Sequence, residues 1–399
     1  MKQVVIVGAG PTGATLALLL VRCGIGVTLI EAAKDFDRVF RGEALMPSGL
    51  DALAQMGLSP LLERIPHRPL AAWEFIIEGQ QLFRVEEPMG ASRPCTLIAQ
   101  PPLLEALIEE ARSHPNFEFI GGVAVKDLLW EEGRVAGVKL ADGREIASSL
   151  VIGADGRGSA VRQRAGLKLI TQPKSIDVLW FKLPVHPRLV EENVFYSIVS
   201  GDRVFSVFHG AEAGKLHLAW VLFPNDANEG KNANWGDIFA SHSPAWLAEH
   251  FRNCRDAIAA PVRLSVLVGH CPQWHQPGAL LLGDAAHPMS PVRAQGINLA
   301  LRDAIVAANH LVPLLTNEAN HESLDAALGK IQRDREPEIL LAQRLQKREA
   351  QQGEILRSSR LVRSLLLRFP PQLRALVRRS WVERQQKMRN GSVPVRLRV

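Results

Sequence analysis

Three short segments carry residue types suited to nucleotide and redox chemistry. The first is Gly8-Ala9-Gly10-Pro11-Thr12-Gly13, set between the apolar run QVVIV at 3–7 and the helix-like run Ala14 to Cys23. A second apolar run, Gly26 to Ile30, ends at Glu31, 18 residues after Gly13. Strand, glycine turn, helix, strand and acid in this order make a dinucleotide-binding unit. Gly8 allows the tight turn, Gly10 lets the backbone approach a pyrophosphate, and Gly13 lets the helix pack close to the strand. The helix start, with Pro11 and Thr12, offers free N–H groups to phosphates. Glu31 would accept hydrogen bonds from a ribose diol. The competing reading is a glycine turn that binds nothing.

The unit alone does not say which dinucleotide. The second segment, Leu150-Val-Ile-Gly-Ala-Asp155-Gly-Arg-Gly-Ser-Ala-Val-Arg162, follows an expected hairpin of Val135 to Leu140 and Glu145 to Ala147 around Asp142-Gly143. The third, Ala279-Leu-Leu-Leu-Gly-Asp284-Ala-Ala-His-Pro-Met-Ser-Pro291-Val-Arg-Ala-Gln-Gly296-Ile-Asn298, opens a helix-like run from Leu299 to Leu311. N–H groups of Gly296, Ile297 and Asn298 at that helix start carry partial positive charge. Gly296 would let the backbone approach a flat ring.

With these segments the chain resembles the group A flavoprotein monooxygenases, the para-hydroxybenzoate hydroxylase-like family. The three motifs stand in the family's order, with Arg41-Gly42 and Gln100 between them, and the resemblance spans roughly residues 1–330. It implies an α/β fold: a Rossmann-like FAD-binding domain, a β-sheet substrate domain and a helical C-terminal extension. It implies FAD as cofactor, with NADH or NADPH as transient reductant. Asp155 would lie near the FAD pyrophosphate, Asp284 at the ribityl or ribose hydroxyls, Arg41 at phosphate oxygens and Gln100 near the ribityl–isoalloxazine junction. Val125 joins this cofactor set. Pro291 to Asn298 would pass beside the isoalloxazine, where helix N–H groups stabilise the anionic reduced ring. Plainer readings stand beside these: a surface salt bridge for Arg41, a helix cap for Gln100, and for Arg162 either a loop-orienting cation or a helix-surface arginine.

The reaction that the resemblance implies is oxygenation of a small, largely apolar substrate through a flavin C4a-hydroperoxide, in a site that excludes water. No second glycine-rich βαβ unit follows residue 13, which agrees with a reductant that binds only transiently. Two rivals remain: an FAD-dependent reductase or dehydrogenase of the geranylgeranyl reductase-like kind, and a non-redox FAD-binding protein.

The domain reading that positions these residues is discontinuous. Segments 1–70, 98–170 and 271–330 form the FAD-binding domain, 71–97 and 171–270 the substrate sheet, and 331–399 a basic helical extension. In the substrate sheet, Asp177 to Leu183, Val194 to Val199, Val204 to His209 and Lys215 to Phe223 are β-like and rich in aromatics. Catalytic residues are not assigned; Arg293, His209 and Pro291 are the candidates. Arg293 would bind an anionic substrate, stabilise reduced flavin, or pair with an acid in its loop. His209 and His217 read more readily as satisfied core or surface histidines than as bases, and His287 as scaffold. The single tyrosine, Tyr196, reads as a strand residue with an exposed hydroxyl. One tyrosine cannot reproduce the several that para-hydroxybenzoate hydroxylase uses on its phenol, so ionisation of any phenol falls to another group.

Composition narrows the classes further. The chain has 399 residues, 47% hydrophobic and 22% charged, as in a globular protein of more than one lobe. Its four cysteines form no C-x-x-C pair, which argues against a disulfide framework or a zinc knuckle. No metal-ligand spacing and no G-x-S-x-G elbow is present. No apolar run is long enough to span a bilayer, no secretory pattern is visible, and a soluble cytoplasmic protein is expected. The net charge of +6 is uneven: residues 355–399 hold twelve Lys/Arg against Glu383, giving +11 there and −5 elsewhere. Helices packed on the body with solvated arginine heads account for this; peripheral contact with an anionic membrane is the alternative, and no nucleic-acid module accompanies the charge. The remaining partners are a small-molecule substrate and O2. Oligomeric state is left open.

Overall fold

A computed structural model describes residues 3–36, 43–173, 176–226, 234–317 and 319–399. The first sheet has six strands, in the order His275–Gln276, Ala279–Leu281, Leu150–Gly153, Gln3–Val7, Gly26–Glu31 and Phe117–Gly121. Every neighbouring pair is parallel except the first, which is antiparallel. Strands covered on both faces read as unbroken apolar runs, and Val4 to Val7 are all buried. Around this sheet lie α1 (Pro11–Arg22), α2 (Pro47–Gln55), α3 (Ser59–Glu63), α4 (Gln100–Arg112) and the short α5 (Ala160–Arg164). Residues Thr12 to Val21 of α1 are all buried, so this helix is core on every side. Arg134–Leu140 pairs antiparallel with both Val125–Glu131 and Glu145–Ala147, so the expected hairpin forms. A small sheet of Ala44–Leu45, Thr96–Ile98 and His67–Pro69 bridges to the second lobe.

The second sheet has seven strands: Val262–Ser265, Asp177–Pro184, Lys215–Leu222, Arg203–His209, Val194–Ser200, Ala72–Ile77 and Gln80–Glu86. Its pairs are antiparallel except Val194–Ser200 with Ala72–Ile77. The two-residue period of a strand divides its side chains between two faces. Phe181, Tyr196, Phe205 and Trp220 pack into one core with α7 (Trp235–His242) and α8 (Ala245–Asn253), beside α6 (Pro187–Glu192). Their strand neighbours Trp180, Phe195, Phe208 and Ala219 point the other way, into a second cluster that includes Ala44 and Leu97 of the small sheet.

Tyr196 therefore differs from expectation. It is fully buried, and its hydroxyl donates to Glu192 Oε2 at 2.5 Å. Burial, then the hydrogen bond to Glu192, pushes the phenol well above its ordinary range.

The remaining helices are α9 (Gln295–Thr316), α10 (His321–Ser358), α11 (Arg360–Arg368) and α12 (Pro371–Arg389). α9 packs between α1 and α10. The segment Val292–Thr316 is long and apolar enough to cross a membrane, but 72% of its apolar window is buried inside the fold, as in a core helix. The extension does not start at 331; the same helix runs unbroken from His321. Beyond α12 the chain returns to the first lobe, where Leu397 N–H donates to Gln55 and Arg398 N–H to Asn309, each at 2.8 Å.

The charge split has a structural counterpart. Arg363 pairs with Glu78 at 2.5 Å, Arg389 with Glu87 at 2.5 Å and Arg357 with Asp226 at 3.6 Å. The first two arginines are buried, so their heads are not solvated as expected. Three acids of the body thus receive three cations of the extension, while Arg360, Arg368, Arg378 and Arg379 stay exposed.

Candidate active site

A single cavity of about 1140 Å³ runs from the glycine turn, beneath the seven-stranded sheet, to the extension. Gly8, Gly10, Pro11, Thr12, Glu31, Gln100, Val125, Asp155, Asp284, Pro291, Gly296 and Ile297 all line it. Gly13 and Asn298 lie behind the lining. Arg41 lies outside the described residues.

At the nucleotide end the surface is mostly backbone. Gly8 has φ +100°, and a Cβ there would meet Ala154 O at 2.4 Å. At Gly13 a Cβ would lie 1.9 Å from Gly8 O, so helix and turn touch only because residue 13 is glycine. At Gly10 nothing lies within 4 Å, leaving room for a group to approach the chain. No side chain caps α1 at Gly10. An uncapped helix start beside an open glycine fits a pyrophosphate, and the residues present therefore fit FAD. Glu31 is buried and accepts from Ala9 N–H and Ala33 N–H, each at 2.9 Å, which fixes its carboxylate at the strand end.

Asp155 holds its own loop: Ser159 Oγ donates to it at 2.5 Å and Val161 N–H at 3.1 Å. Burial raises its pKa, against these hydrogen bonds. Arg162 is buried and donates to Ala285 O at 2.8 Å and Arg157 O at 2.7 Å. It is the loop-orienting cation of the two readings, joining the Asp155 and Asp284 segments. Gln100 lines the cavity at the start of α4, whose N-cap is Ala99, so it is no capping amide.

Asp284 is held from behind by a charge network. Asp303 accepts from Gly283 N–H at 3.1 Å and Arg335 Nε at 2.7 Å, with His287 Nε2 2.8 Å away. Arg335 and Arg302 share Glu338. Burial opposes ionisation of Asp303, but His287 and Arg335 outweigh it and hold the carboxyl below its usual range. His287 is thus scaffold. At the start of α9 no side chain caps the helix, and Gly296 and Ile297 line the cavity. Asn298 is buried; its side chain accepts from Met46 N–H at 2.8 Å and donates to Ala44 O at 3.1 Å and Ala294 O at 2.7 Å. It ties the small sheet to this helix start.

The far end of the cavity is aromatic. Trp73, Phe75, Phe83, Trp180, Phe195 and Phe208 line it, with Phe195 and Phe208 stacked at 4.7 Å. Glu43 lines the same cavity, and its Oε2 lies 3.0 Å from His217 Nδ1. His209, by contrast, is not brought to the cavity. It is buried at its strand end, and burial first, then Arg68 and His217, lower its pKa. Its ring nitrogens have no hydrogen-bond partner among the described residues, so the reading of a satisfied histidine fails too.

Arg293 lines the cavity, but its guanidinium is taken. Its Nε donates to Glu349 Oε1 at 2.6 Å, and its Nη2 donates to the same oxygen. The acid is not in the loop, as one expectation had it, but on α10. Burial opposes ionisation of Glu349; Arg293 outweighs it, with Gln385 adding a hydrogen bond, and the carboxyl sits below its usual range. Six residues of the extension, Glu349, Leu356, Leu366, Val377, Trp381 and Arg384, are among those that form the rest of the wall. Sequence reading missed all six, as well as Asp303 and Arg335. The one available signal was an acid or amide recurring at helical spacing on α10: Gln343, Gln346 and Glu349.

The FAD binding domain family model matches residues 1–334. A 6-methylpretetramide 4-monooxygenase of Streptomyces rimosus is 32% identical over 405 residues, covering 94% of this chain and 91% of that protein. The 3-demethoxyubiquinol 3-hydroxylase of Escherichia coli is 26% identical over 334 residues, covering 80% and 81%. The structure of PqsL, a probable FAD-dependent monooxygenase from Pseudomonas aeruginosa, shares the fold with a TM-score of 0.78 at 22% identity, over 89% of this chain and 97% of that one. The chain belongs to the group A FAD-dependent monooxygenases, the para-hydroxybenzoate hydroxylase-like family. It is a single-component enzyme that uses FAD, NAD(P)H and O2 to oxygenate a small organic substrate. The reductase and non-redox readings give way to this one.

Proposed function

We propose that the enzyme hydroxylates a planar, fused-ring aromatic compound. The observation that carries this is the aromatic end of the cavity, where flat side chains from five strands and α12 leave an apolar slot. Such a slot suits rings held by stacking better than a flexible isoprenoid chain. The 32% identity to an enzyme named for a pretetramide supports the same class.

Bound FAD supplies the oxygen-activating chemistry. The chain's residues bind and orient. In this reading the turn from Gly8 to Gly13 and the start of α1 hold the pyrophosphate, Glu31 the adenosine ribose, and Asp155, Gln100, Val125 and Asp284 the path between. The N–H groups at Gly296, Ile297 and Asn298 would supply a helix start that stabilises negative charge on the reduced flavin. The aromatic slot excludes water from the reacting carbon. The test is turnover of the holoenzyme with NADPH or NADH under isotopically labelled O2. Offered compounds are a fused-ring phenolic polyketide, 4-hydroxybenzoate and a geranylgeranyl chain. One labelled oxygen in the fused-ring product is expected. Labelled product from only the single ring or the isoprenoid chain sinks the reading.

A second reading concerns location. Leu361, Leu365 and Leu376 of α11 and α12 are 83%, 59% and 60% exposed, with Arg360, Arg368 and Arg378 exposed around them. An apolar stripe within a basic surround suits the surface of an anionic membrane. Sedimentation with phosphatidylglycerol vesicles tests this; equal pelleting of a Leu361→Ser/Leu365→Ser/Leu376→Ser variant rejects it.

A further inference from the structure

The loop 288–294 enters α9 through two consecutive residues in the left-handed region, Arg293 at φ +60° and Ala294 at φ +48°. Neither is glycine. Such a conformation persists only where surrounding contacts over-determine it. α10 supplies those contacts. Gln343, Gln346 and Glu349 stand three residues apart, on one face of the helix. Gln343 Nε2 donates to Gly269 O at 2.7 Å and Pro288 O at 3.3 Å. Gln346 Nε2 donates to Ser290 O at 2.9 Å and Val292 O at 2.7 Å. Glu349 takes Arg293, as above. One turn of loop is thus read by two turns of helix, carbonyl by carbonyl.

The guanidinium is held on its other sides as well. It lies 5.1 Å from the ring of Trp381, 5.3 Å from Trp73 and 5.5 Å from Phe75. A cation over aromatic faces in a desolvated pocket is well held. Trp381 also packs on Phe75 at 4.9 Å and lines the cavity. Gln385, one turn along α12, donates to Glu349 Oε2 at 2.9 Å.

We propose that Gln346, Glu349 and Trp381 are positioning residues for the monooxygenation: α10 and α12 clamp the loop 288–294 through Arg293, fixing the start of α9 against the flavin site and closing the substrate end to water. The argument needs FAD in this cavity but not the fused-ring substrate.

The test uses the full chain. Glu349→Gln and Trp381→Ala are compared with Glu349→Asp, which keeps the charge, and with Glu383→Gln on the extension's outer face. Amide hydrogen exchange of residues 288–298 is measured in the FAD-free protein. The share of NAD(P)H oxidation that ends as free hydrogen peroxide is measured in the holoenzyme. Exchange in 288–298 is expected to quicken by about tenfold in the first two variants, as for loss of one charge-assisted contact, with the first sheet unchanged. The peroxide share should rise, Glu349→Asp should recover most of both, and Glu383→Gln should change neither. Unchanged exchange in 288–298, or a rise spread evenly over the fold, overturns the proposal. If the charge change prevents folding, Gln346→Ala removes two neutral hydrogen bonds instead, and unchanged exchange there overturns it equally. Exchange is read without substrate, so failure of the fused-ring reading leaves this outcome intact.

Discussion

The two ends of the cavity are built by different means. At the nucleotide end the surface is mostly glycine backbone and helix start from one βαβ unit, flanked by the Asp155 and Asp284 segments. At the other end it is side chains from the strands of the second sheet, a loop and three helices, drawn from Trp73 to Arg384. The first surface tolerates almost no atom where the chain touches itself. The second is a set of replaceable walls. The difference teaches where the chemistry is fixed and where the substrate is chosen.

Mutations can break or sharpen that contrast. The largest effect is expected behind the nucleotide end. Asp303→Asn removes the charge that Arg335 and His287 face, and breaking a buried pair in this way costs about 3–5 kcal/mol, read by urea unfolding. The pH dependence has a definite sign. Asp303 is held below its usual range in the folded protein, so its stabilisation is full above the unfolded-state value of about 4 and is lost as pH falls through the lower folded value. Melting temperature followed downward from pH 7 should drop more steeply in the wild type than in the variant. Next, Gly13→Ala puts a Cβ against Gly8 O; overpacking at this contact should cost about 3 kcal/mol and leave the purified protein short of FAD. At the substrate end, Phe208→Ala should keep FAD stoichiometry and lower kcat/KM for a fused-ring substrate by about tenfold, equivalent to about 1.4 kcal/mol. The smallest change in stability belongs to Gly10→Ala. Nothing lies within 4 Å of that Cβ, so the FAD-free protein should melt within about 0.5 kcal/mol of wild type while FAD affinity falls. A Gly10 variant with normal FAD affinity would place the pyrophosphate elsewhere.

This contrast also explains what was legible in the sequence. Local constraints write themselves locally. The glycines at 8, 10 and 13, the acid at 31 and the Asp284 segment were readable because each needs its residue type at a fixed spacing. The alternation of aromatics in the substrate strands was readable for the same reason. Arg293 was visible as an oddity, but its partner was not, because nothing in residues 290–298 says that an acid on another helix will face it. Tyr196 misled because strand alternation gives two faces and not which face meets helices. In the basic extension the buried Arg363 and Arg389 depart from the solvated heads expected, because a charge count does not show that Glu78 and Glu87 face them. The role of His209 was not legible: burial without partners follows from packing at the strand end.

The cavity has a consequence for how the enzyme is made. Its lining includes both Val7 and Arg384, so the cavity joins segments far apart in the chain. The glycine turn needs the strands at 26–31 and 150–153 and is ready early on the ribosome. The wall from α10 to α12 emerges well after it. In a chain folding from its first residues, the aromatic slot stays open to water until α10 to α12 dock, although the strands around the glycine turn can pair before then.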